Sequence, residues 1–292
     1  MIAQPQAPHT EFTLPFAPPY EALPALATLA AHAIPGAERT DIATRSHTRL
    51  FPDVCGSIAA TVTFEVDHIS VNAETDSAGA ERLTPLLRGW LDLDADPQRV
   101  YAVLHEDPVI GPLIEKRPGL RVIGYPDGFE AAATTVLGQQ VSVAACRTFA
   151  GRLTAAFGTP GPAGLSVFPT PDALAARTPD QLRTAVGLTG SRAKTLHAVA
   201  EACAGGLVIG PDSDQAEVRR RLLALRGIGA WSVDYLAVRA LGDRDAFVPG
   251  DLVLRKALGG ITAKQAEIAS AAWSPVRAYA LFQLWTETAY AA

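Results

Sequence analysis

A short glycine-containing turn joins two helical stretches in the C-terminal third of this 292-residue chain. Residues 213–225 and 230–241 carry apolar side chains at helical spacing, which leaves only a few residues between the two stretches. Gly227 and Gly229 stand in that gap, and glycine permits the positive φ and the close backbone approach that so short a connection requires. The sequence therefore predicts a helical hairpin over residues 213–241.

The second helix of this hairpin begins with backbone N–H groups that have no partner inside the helix. These donors and the helix dipole attract an anion, and Gly227, Ile228, Gly229 and Ala230 place no charged side chain before them. A phosphate could therefore bind here without a lysine. An ordinary turn between helices, with glycine at the end of the first helix, explains the same residues equally well when they are considered alone.

Trp231, Tyr235 and Arg239 follow the turn at spacings of four residues, so they lie on one face of the second helix. A stripe of this kind usually packs into the core of a protein. Because this one starts within a turn of the predicted anion site, its aromatic rings could equally stack on a base extruded from a nucleic acid. Both interpretations are open at the level of the sequence.

Asp251 follows Pro249-Gly250 and precedes a short amphipathic helix over residues 252–258. Aspartate is a preferred residue at the N-cap of a helix, and capping alone would explain its presence. A carboxylate beside a helix N-terminus is also favoured in its charged form, which suits it to stabilising positive charge that develops on a reacting sugar. Asp251 is therefore predicted to be a helix cap that also takes part in chemistry.

The charge of the chain is unevenly distributed, although its net value of −5 argues against nucleic acid at first. Residues 1–120 hold 16 acidic and 8 basic residues, a net charge of −8. Residues 121–292 hold 14 acidic and 17 basic residues, a net charge of +3. If the asymmetry is not due to chance, a polyanion is expected to bind the C-terminal part through local groups and not through a broad basic face.

The cysteines and histidines are scattered, which predicts neither a disulfide framework nor a metal cluster. No apolar run has the roughly 18 residues that cross a bilayer, and residues 1–5 lack the basic start of a secretory leader. A reducing cytoplasm is the expected location, and no membrane is an expected partner. The residues concerned are Cys55, Cys146 and Cys203, and His9, His32, His47, His68, His105 and His197.

Two classes of secondary structure divide the chain and predict an α+β fold. Residues 12–16 and 60–71 look extended, the latter with the alternation of apolar and polar side chains found in half-buried antiparallel strands. Residues 20–34 between them are helical in period, so the first domain is predicted to be a small α/β unit. Helical spacing dominates from about Leu83 onward, through the stretches 129–157, 171–186, 191–204 and 213–224.

Four blocks of the chain together resemble a known family. They are Leu225 to Trp231 with Tyr235, Asp245 to Asp251, Phe129-Glu130 with Val136 to Ser142, and Trp273 to Ala280 with Trp285. On these blocks the chain resembles the helix-hairpin-helix base-excision DNA glycosylases of the AlkA type, the 3-methyladenine DNA glycosylases II. The resemblance implies a small antiparallel-sheet domain over 1–115, packed on a two-lobed helical glycosylase domain over 116–292.

The resemblance also implies roles for particular residues. Asp251 matches the catalytic acid of the family, and Trp231, Tyr235 and Trp285 match aromatic positions around its base pocket. Gly227, Gly229 and the following N–H groups, with Ile228 and Ala230, match the hairpin that binds DNA phosphate.

Two further positions follow from the same resemblance. Gln140 matches the side chain that relatives insert into the gap left by the flipped nucleotide. The backbone carbonyls of Leu223, Leu225 and Ile228 match those through which relatives hold a monovalent cation, Na⁺ or K⁺. No other cofactor is implied as a requirement.

The activity implied by the resemblance is a monofunctional glycosylase that removes alkylated bases from double-stranded DNA. Bases of the 3-methyladenine and 7-methylguanine type would be released by hydrolysis, leaving an abasic site, and the protein is expected to be a monomer. Trp231 stands where lyases of the superfamily carry a catalytic lysine, and no cysteine follows Cys203, so neither strand cleavage nor an iron–sulfur cluster is expected. The alternatives are a glycosylase for deaminated or oxidised bases and a non-catalytic DNA-binding hairpin module.

Overall fold

The structure is a computed structural model that describes residues 8–54 and 56–289. Residues 1–5, in which no leader was predicted, and Cys55 lie outside the described residues. Among the residues that are described, no helix is long and apolar enough to cross a bilayer.

A five-stranded antiparallel sheet forms the N-terminal part of the fold, in the strand order β1-β5-β4-β3-β2. The helix α1, rich in apolar residues, packs against β2 and β3 of this sheet and buries Leu26 and Leu29. The elements are β1 Thr10–Pro15, α1 Ala22–His32, β2 Glu38–Asp41, β3 Ser46–Asp53, β4 Gly56–Phe64 and β5 His68–Ala73.

The predicted strand over residues 60–71 is wrong as a single element, because the chain reverses within it. The backbone N–H of Glu65 donates to the carbonyl of His68 at 3.0 Å, which closes a tight turn between β4 and β5. The alternation in the sequence nevertheless marks the buried face correctly, since Val62 and Phe64 are almost fully buried. Strands β2 and β3, which are short or interrupted by polar residues, were not predicted.

Fourteen helices account for most of the remaining described chain, and their apolar faces join the sheet in one continuous core. After α1 the helices are α2 Ser77–Leu91, α3 Pro97–Leu104, α4 Gly111–Lys116, α5 Gly128–Gly138, α6 Val143–Phe157, α7 Pro171–Ala175, α8 Pro179–Val186, α9 Gly190–Ala204, α10 Gln215–Leu223, α11 Ala230–Arg239, α12 Leu252–Ala257, α13 Ala263–Ser270 and α14 Arg277–Ala289. Two short strands, β6 Thr159–Pro160 and β7 Ser166–Val167, pair between α6 and α7. The predicted domain boundary between 115 and 116 falls at the end of α4.

Two of the predicted helical stretches are interrupted. Residues 171–186 form α7 and α8, because Thr178 begins a new helix with a capping box and Pro179 at its first position. Residues 129–157 form α5 and α6, separated by a turn in which Gln140 has a positive φ of 55° and Ser142 caps α6. The apolar period runs through this turn, so periodicity alone does not reveal it.

A buried group of charges joins the sheet to the helical part. Arg49 on β3 donates to Glu130 on α5 at 2.7 Å, and a second nitrogen of its guanidinium lies 3.4 Å from Glu38. All three side chains are at most 7% exposed. Because isolated charges are costly to bury, this pairing fixes how the sheet sits on α5.

Candidate active site

The predicted helical hairpin is confirmed and consists of α10, a short turn and α11. Gly227 in the turn has a φ of +93°, and a Cβ there would lie 2.0 Å from the Oγ1 of Thr195 on α9. Gly229 is the N-cap of α11, and a Cβ at this position would have no heavy atom within 4 Å. Gly227 is therefore needed for packing and backbone conformation, whereas Gly229 leaves open space in front of the α11 N-terminus.

Asp251 caps α12, as predicted, and is linked to both aromatic walls of the site. Its Oδ1 accepts hydrogen bonds from the backbone N–H of Leu254 at 2.9 Å and from Nε1 of Trp285 at 3.1 Å. Its Oδ2 accepts from Nε1 of Trp231 at 3.3 Å. The residue is 9% exposed, so the carboxylate is held by three N–H donors in a largely enclosed position.

Three aromatic rings line the space beside this carboxylate. Trp231 and Tyr235 stack with ring centroids 5.3 Å apart and planes within 14°, and Trp285 lies 5.9 Å from Tyr235 at 47°. Arg239, one turn further along α11, donates to the hydroxyl of Tyr235 at 2.9 Å and is almost fully buried. The stripe is therefore buried in the core at Arg239 and half-buried at Trp231 and Tyr235, which line a cavity.

A cavity of about 220 Å³ lies between these rings and the α5–α6 turn. Cavities of about 150 Å³ in proteins accommodate benzene, so this volume is on the scale of one nucleobase. We call this cavity the aromatic pocket; its lining includes Asp251, Trp231, Tyr235, Trp285, His32, Tyr125, Thr134, Thr135, Val141 and Cys146.

Several lining residues were not found by sequence reasoning. His32 comes from α1 of the N-terminal part, where burial together with Arg239 and Arg147 lowers its pKa to about 3. Burial raises the pKa of the Cys146 thiol to about 11. Both groups are therefore neutral near pH 7 and add no charge to the aromatic pocket. Their positions depend on packing between distant segments, and no local motif marks them.

The α5–α6 turn is attached to the hairpin at one edge of the aromatic pocket. The Nε2 of Gln139 donates to the carbonyl of Gly227 at 2.9 Å and to the Oγ of Ser232 at 3.2 Å. The guanidinium of Arg192 donates to the carbonyl of Gln139. Gln140 is exposed next to this anchored residue, in the left-handed conformation. The predicted wedge residue is thus exposed in a turn whose residues Gly138 and Val141 line the aromatic pocket.

The structure brings most predicted site residues into one region. Asp251 and the three rings surround the aromatic pocket, and the hairpin adjoins it through Trp231. The carbonyls of Leu223 and Leu225 lie at the end of α10, and the carbonyl of Leu225 accepts from the N–H of Ile228 at 3.0 Å. Within the described ranges, no cluster of three or more His, Cys, Asp or Glu side chains could hold a metal ion.

Both parts of the chain match known protein families. Residues 11–127 match the model of the AlkA N-terminal domain, and residues 133–276 match that of the HhH-GPD superfamily base excision DNA repair proteins. The DNA-3-methyladenine glycosylase 2 of Escherichia coli is 31% identical over 280 residues, which cover 94% of this chain and 96% of that protein. The chain belongs to the AlkA-type DNA glycosylase family. The predicted resemblance is confirmed.

Two further similar proteins differ from this chain in length and in identity. A Mycobacterium tuberculosis protein, described as a probable bifunctional transcriptional activator and DNA repair enzyme AlkA, is 36% identical over 268 residues. This chain spans about half of its length, 53%, while 88% of this chain is covered. The solved structure of an Archaeoglobus fulgidus 3-methyladenine DNA glycosylase superimposes with a TM-score of 0.83 at 20% identity, covering 95% of this chain and 98% of that one. The predicted α+β fold is confirmed.

Proposed function

We propose that the protein is a monofunctional DNA glycosylase that hydrolyses the N-glycosidic bond of flipped alkylated bases in double-stranded DNA. Bases of the 3-methyladenine and 7-methylguanine type are the proposed substrates, and an abasic site is the product. The observation that carries this proposal is the placement of the Asp251 carboxylate, which lies against both indoles of a pocket the size of one base.

The aromatic walls account for the proposed preference for alkylated bases. Trp231, Tyr235 and Trp285 present electron-rich rings, and cations bind over such rings by about 0.5–2 kcal/mol. A purine alkylated on a ring nitrogen carries a positive charge and is therefore held more strongly than a normal base. The same charge makes it a good leaving group, so little acid catalysis is required from the protein.

Asp251 is proposed to act on the sugar. Hydrolysis breaks the bond between C1′ and the base nitrogen, the base leaves with the electron pair, and water adds to C1′ with loss of a proton. A carboxylate about 4 Å from the developing oxocarbenium contributes roughly 4 kcal/mol at an effective dielectric constant near 20. That stabilisation corresponds to a rate enhancement on the order of 10³.

The hairpin is proposed to hold the DNA backbone. The first-turn N–H groups of α11 have no partner inside the helix, and Gly229 leaves the approach to them open. Residues 121–292 hold 17 basic and 14 acidic residues, so the hairpin lies in the part of the chain with net positive charge. Gln140, exposed beside the aromatic pocket, is proposed to fill the space that the flipped nucleotide leaves.

We also propose a monovalent cation at the hairpin, held by the carbonyls of Leu223, Leu225 and Ile228. Neutral carbonyl oxygens suit Na⁺ or K⁺, and the carbonyl of Leu225 keeps a second lone pair beyond the one that accepts from Ile228. When bound, the ion would orient the turn and add positive charge near the phosphate. DNA affinity measured in sodium, potassium and bulky organic cations at equal ionic strength tests this site.

A panel of duplexes, each with one lesion, tests the function. We expect release of 3-methyladenine and 7-methylguanine, with strand breakage only after alkali treatment of the abasic product, because Trp231 provides no amine nucleophile. If the protein released only deaminated or oxidised bases, those bases and not alkylated ones would be its substrate class. Binding to every duplex without release of any base would instead identify a non-catalytic DNA-binding module.

We propose a monomeric protein that works in the cytoplasm on double-stranded DNA without a required cofactor and without an iron–sulfur cluster. Sedimentation of the full chain, alone and with one equivalent of duplex, tests the monomeric state.

A further inference from the structure

The side-chain amide of Gln139 connects the α5–α6 turn to the hairpin. Its Nε2 donates to the carbonyl of Gly227 in the hairpin turn at 2.9 Å and to the Oγ of Ser232 at 3.2 Å. Ser232 is the third residue of α11 and is almost fully buried. One side chain of the α5–α6 turn therefore contacts the hairpin on both sides of Gly229 in the sequence.

This contact reaches the part of the hairpin that is proposed to bind DNA phosphate. The first turn of α11 consists of Ala230, Trp231 and Ser232, and its backbone N–H groups have no partner inside the helix. Gln139 binds the hydroxyl of Ser232, so it fixes a residue that carries one of these N–H donors. The α5–α6 turn is thus attached directly to the proposed phosphate site.

The backbone of Gln139 is fixed by further elements. The guanidinium of Arg192 on α9 donates to its carbonyl, and the same guanidinium lies 5.6 Å from the ring centroid of Phe149 on α6. The N–H of Gln139 donates to the carbonyl of Val136 at 3.3 Å, near the end of α5. Residue 139 is therefore held by α5, α9 and α11 at the same time.

The next residue, Gln140, has a conformation that needs support from its surroundings. Its φ of 55° is in the left-handed region, which costs conformational energy for a residue other than glycine and persists where surrounding contacts impose it. Such residues cluster at binding and active sites. Gln140 is exposed, and Val141 and Ser142 after it line the aromatic pocket. The anchored Gln139 therefore sets the direction in which the chain leaves α5 toward this pocket.

We propose that Gln139 is a positioning residue that holds the α5–α6 turn at a fixed distance from the phosphate site of the hairpin. This inference rests on the proposed glycosylase function and deepens it. A phosphate bound at the hairpin fixes the DNA backbone, and the wedge at Gln140 must then enter the duplex at the matching base step. Gln139 acts on base flipping through Gln140 and not by contact with the base.

The test separates base flipping from DNA binding. Single-turnover release of 7-methylguanine at saturating protein depends on flipping and chemistry, whereas the affinity for an undamaged duplex depends on binding alone. Gln139→Met keeps the length of the side chain without a donor, and Gln140→Ala removes the wedge. These two variants and their combination are compared with the wild type. The exposed Gln98 on α3 supplies the matched control Gln98→Met.

We expect Gln139→Met to lower the rate of release about tenfold, the effect of a lost hydrogen bond. Affinity for the undamaged duplex should stay within a few-fold of the wild type, because the hairpin keeps its own N–H groups. Once Gln139→Met is present, Gln140→Ala should lower the rate much less than it does alone, because the wedge is already misplaced. Gln98→Met should leave both quantities unchanged.

Several results would overturn the inference. They are an unchanged rate in Gln139→Met or in Gln140→Ala, independent effects that multiply in the double variant, and a loss of undamaged-duplex affinity as large as the loss of rate. Effects that multiply would indicate a general loosening of the fold and not an action through the wedge. A wild type that releases no base from any duplex contradicts the proposed function itself, and the inference with it.

A second variant keeps the test decisive if Gln139→Met does not fold. Ser232→Ala removes one acceptor of Gln139 but keeps the bond to Gly227 and the backbone N–H groups of α11, and alanine is favourable in a helix. The probe is an uncleavable duplex with 7-methylguanine on a 2′-fluorinated sugar, beside 2-aminopurine, whose fluorescence rises when its neighbour leaves the stack. Ser232→Ala should reduce this rise at saturating protein, and Gln140→Ala should add little to the reduction. A wild-type rise, or reductions that add fully, overturns the inference.

Discussion

Asp251 accepts hydrogen bonds from three N–H groups that belong to three separate elements. Leu254 lies on α12, Trp231 on α11 and Trp285 on α14. The cap position of Asp251 could be predicted from the residues around it, because aspartate before a short apolar helix is a local signal. The two indole contacts could not be predicted in this way, since they join residues 20 and 34 positions apart.

The single residue His32 leads to a prediction about how the stability of the protein depends on pH. Its pKa falls from 6.5, the ordinary value of a solvated imidazole, to about 3 in the folded protein, so the folded state binds fewer protons between these values. Stability due to the neutral imidazole is therefore complete above pH about 6.5 and is lost as pH falls toward about 3. In His32→Gln that loss is absent, so the variant should gain stability relative to the wild type on acidification.

Urea unfolding of the two proteins at a series of pH values between about 7 and 4 measures this difference. Because the carboxylates titrate in both proteins, their contribution cancels in the difference between the two free energies of unfolding. A difference in the free energy of unfolding that stays constant with pH would contradict the depressed pKa of His32.

At the scale of elements, the two glycines of the hairpin turn have different roles. Gly227→Ala places a Cβ at a positive φ and 2.0 Å from the Oγ1 of Thr195, which itself donates to the carbonyl of Arg226. Left-handed strain and this clash should lower the free energy of unfolding by on the order of 2 kcal/mol. Chemical denaturation measures the loss.

Gly229→Ala is the matched change in the same turn. It meets no atom within 4 Å, and its φ of −115° suits any residue, so its cost should stay within about 1 kcal/mol, the cost of a poorer N-cap. The added methyl group stands where the phosphate is proposed to bind, so DNA affinity should fall although the fold is kept. Full DNA affinity in Gly229→Ala would contradict the proposed phosphate site.

The α5–α6 turn shows why part of the site escapes prediction at this scale. The apolar period over residues 129–157 is helical throughout, although the chain breaks at Gln140 and Ser142 caps the next helix. Gln139 is held by the carbonyl of Gly227 and by Arg192, both distant in sequence. Tertiary hydrogen bonds therefore hold the chain at this break in the local pattern, beside Gln140, the proposed wedge residue.

At the scale of the whole molecule, the sheet and the helical part act as one body around the aromatic pocket. The family resemblance predicted both parts and the residues of the helical side. It did not predict that α1 supplies His32, because that contact depends on how the sheet packs on α5 and α6. The buried charges of Arg49, Glu38 and Glu130 stabilise this arrangement.

Arg49→Ala should therefore be strongly destabilising. It leaves the carboxylates of Glu38 and Glu130 buried without their guanidinium partner, which typically costs about 3–5 kcal/mol. Arg183→Ala removes an exposed ion pair with Asp180 and should change stability by less than about 1 kcal/mol. Thermal or urea unfolding compares the two, and similar small losses in both variants would contradict the role of Arg49 as the link between the parts.

The central claim, that the Asp251 carboxylate stabilises positive charge on the sugar, is tested most directly by Asp251→Asn. Asparagine also caps helices, and its Oδ1 can keep the bonds from Leu254 and Trp285, so only the 3.3 Å contact from Trp231 is lost. Single-turnover release of 7-methylguanine and equilibrium binding of the same duplex are measured in parallel. We predict a release rate lower by on the order of 10³ with DNA affinity within a few-fold of the wild type. Release within about tenfold of the wild-type rate would contradict the account.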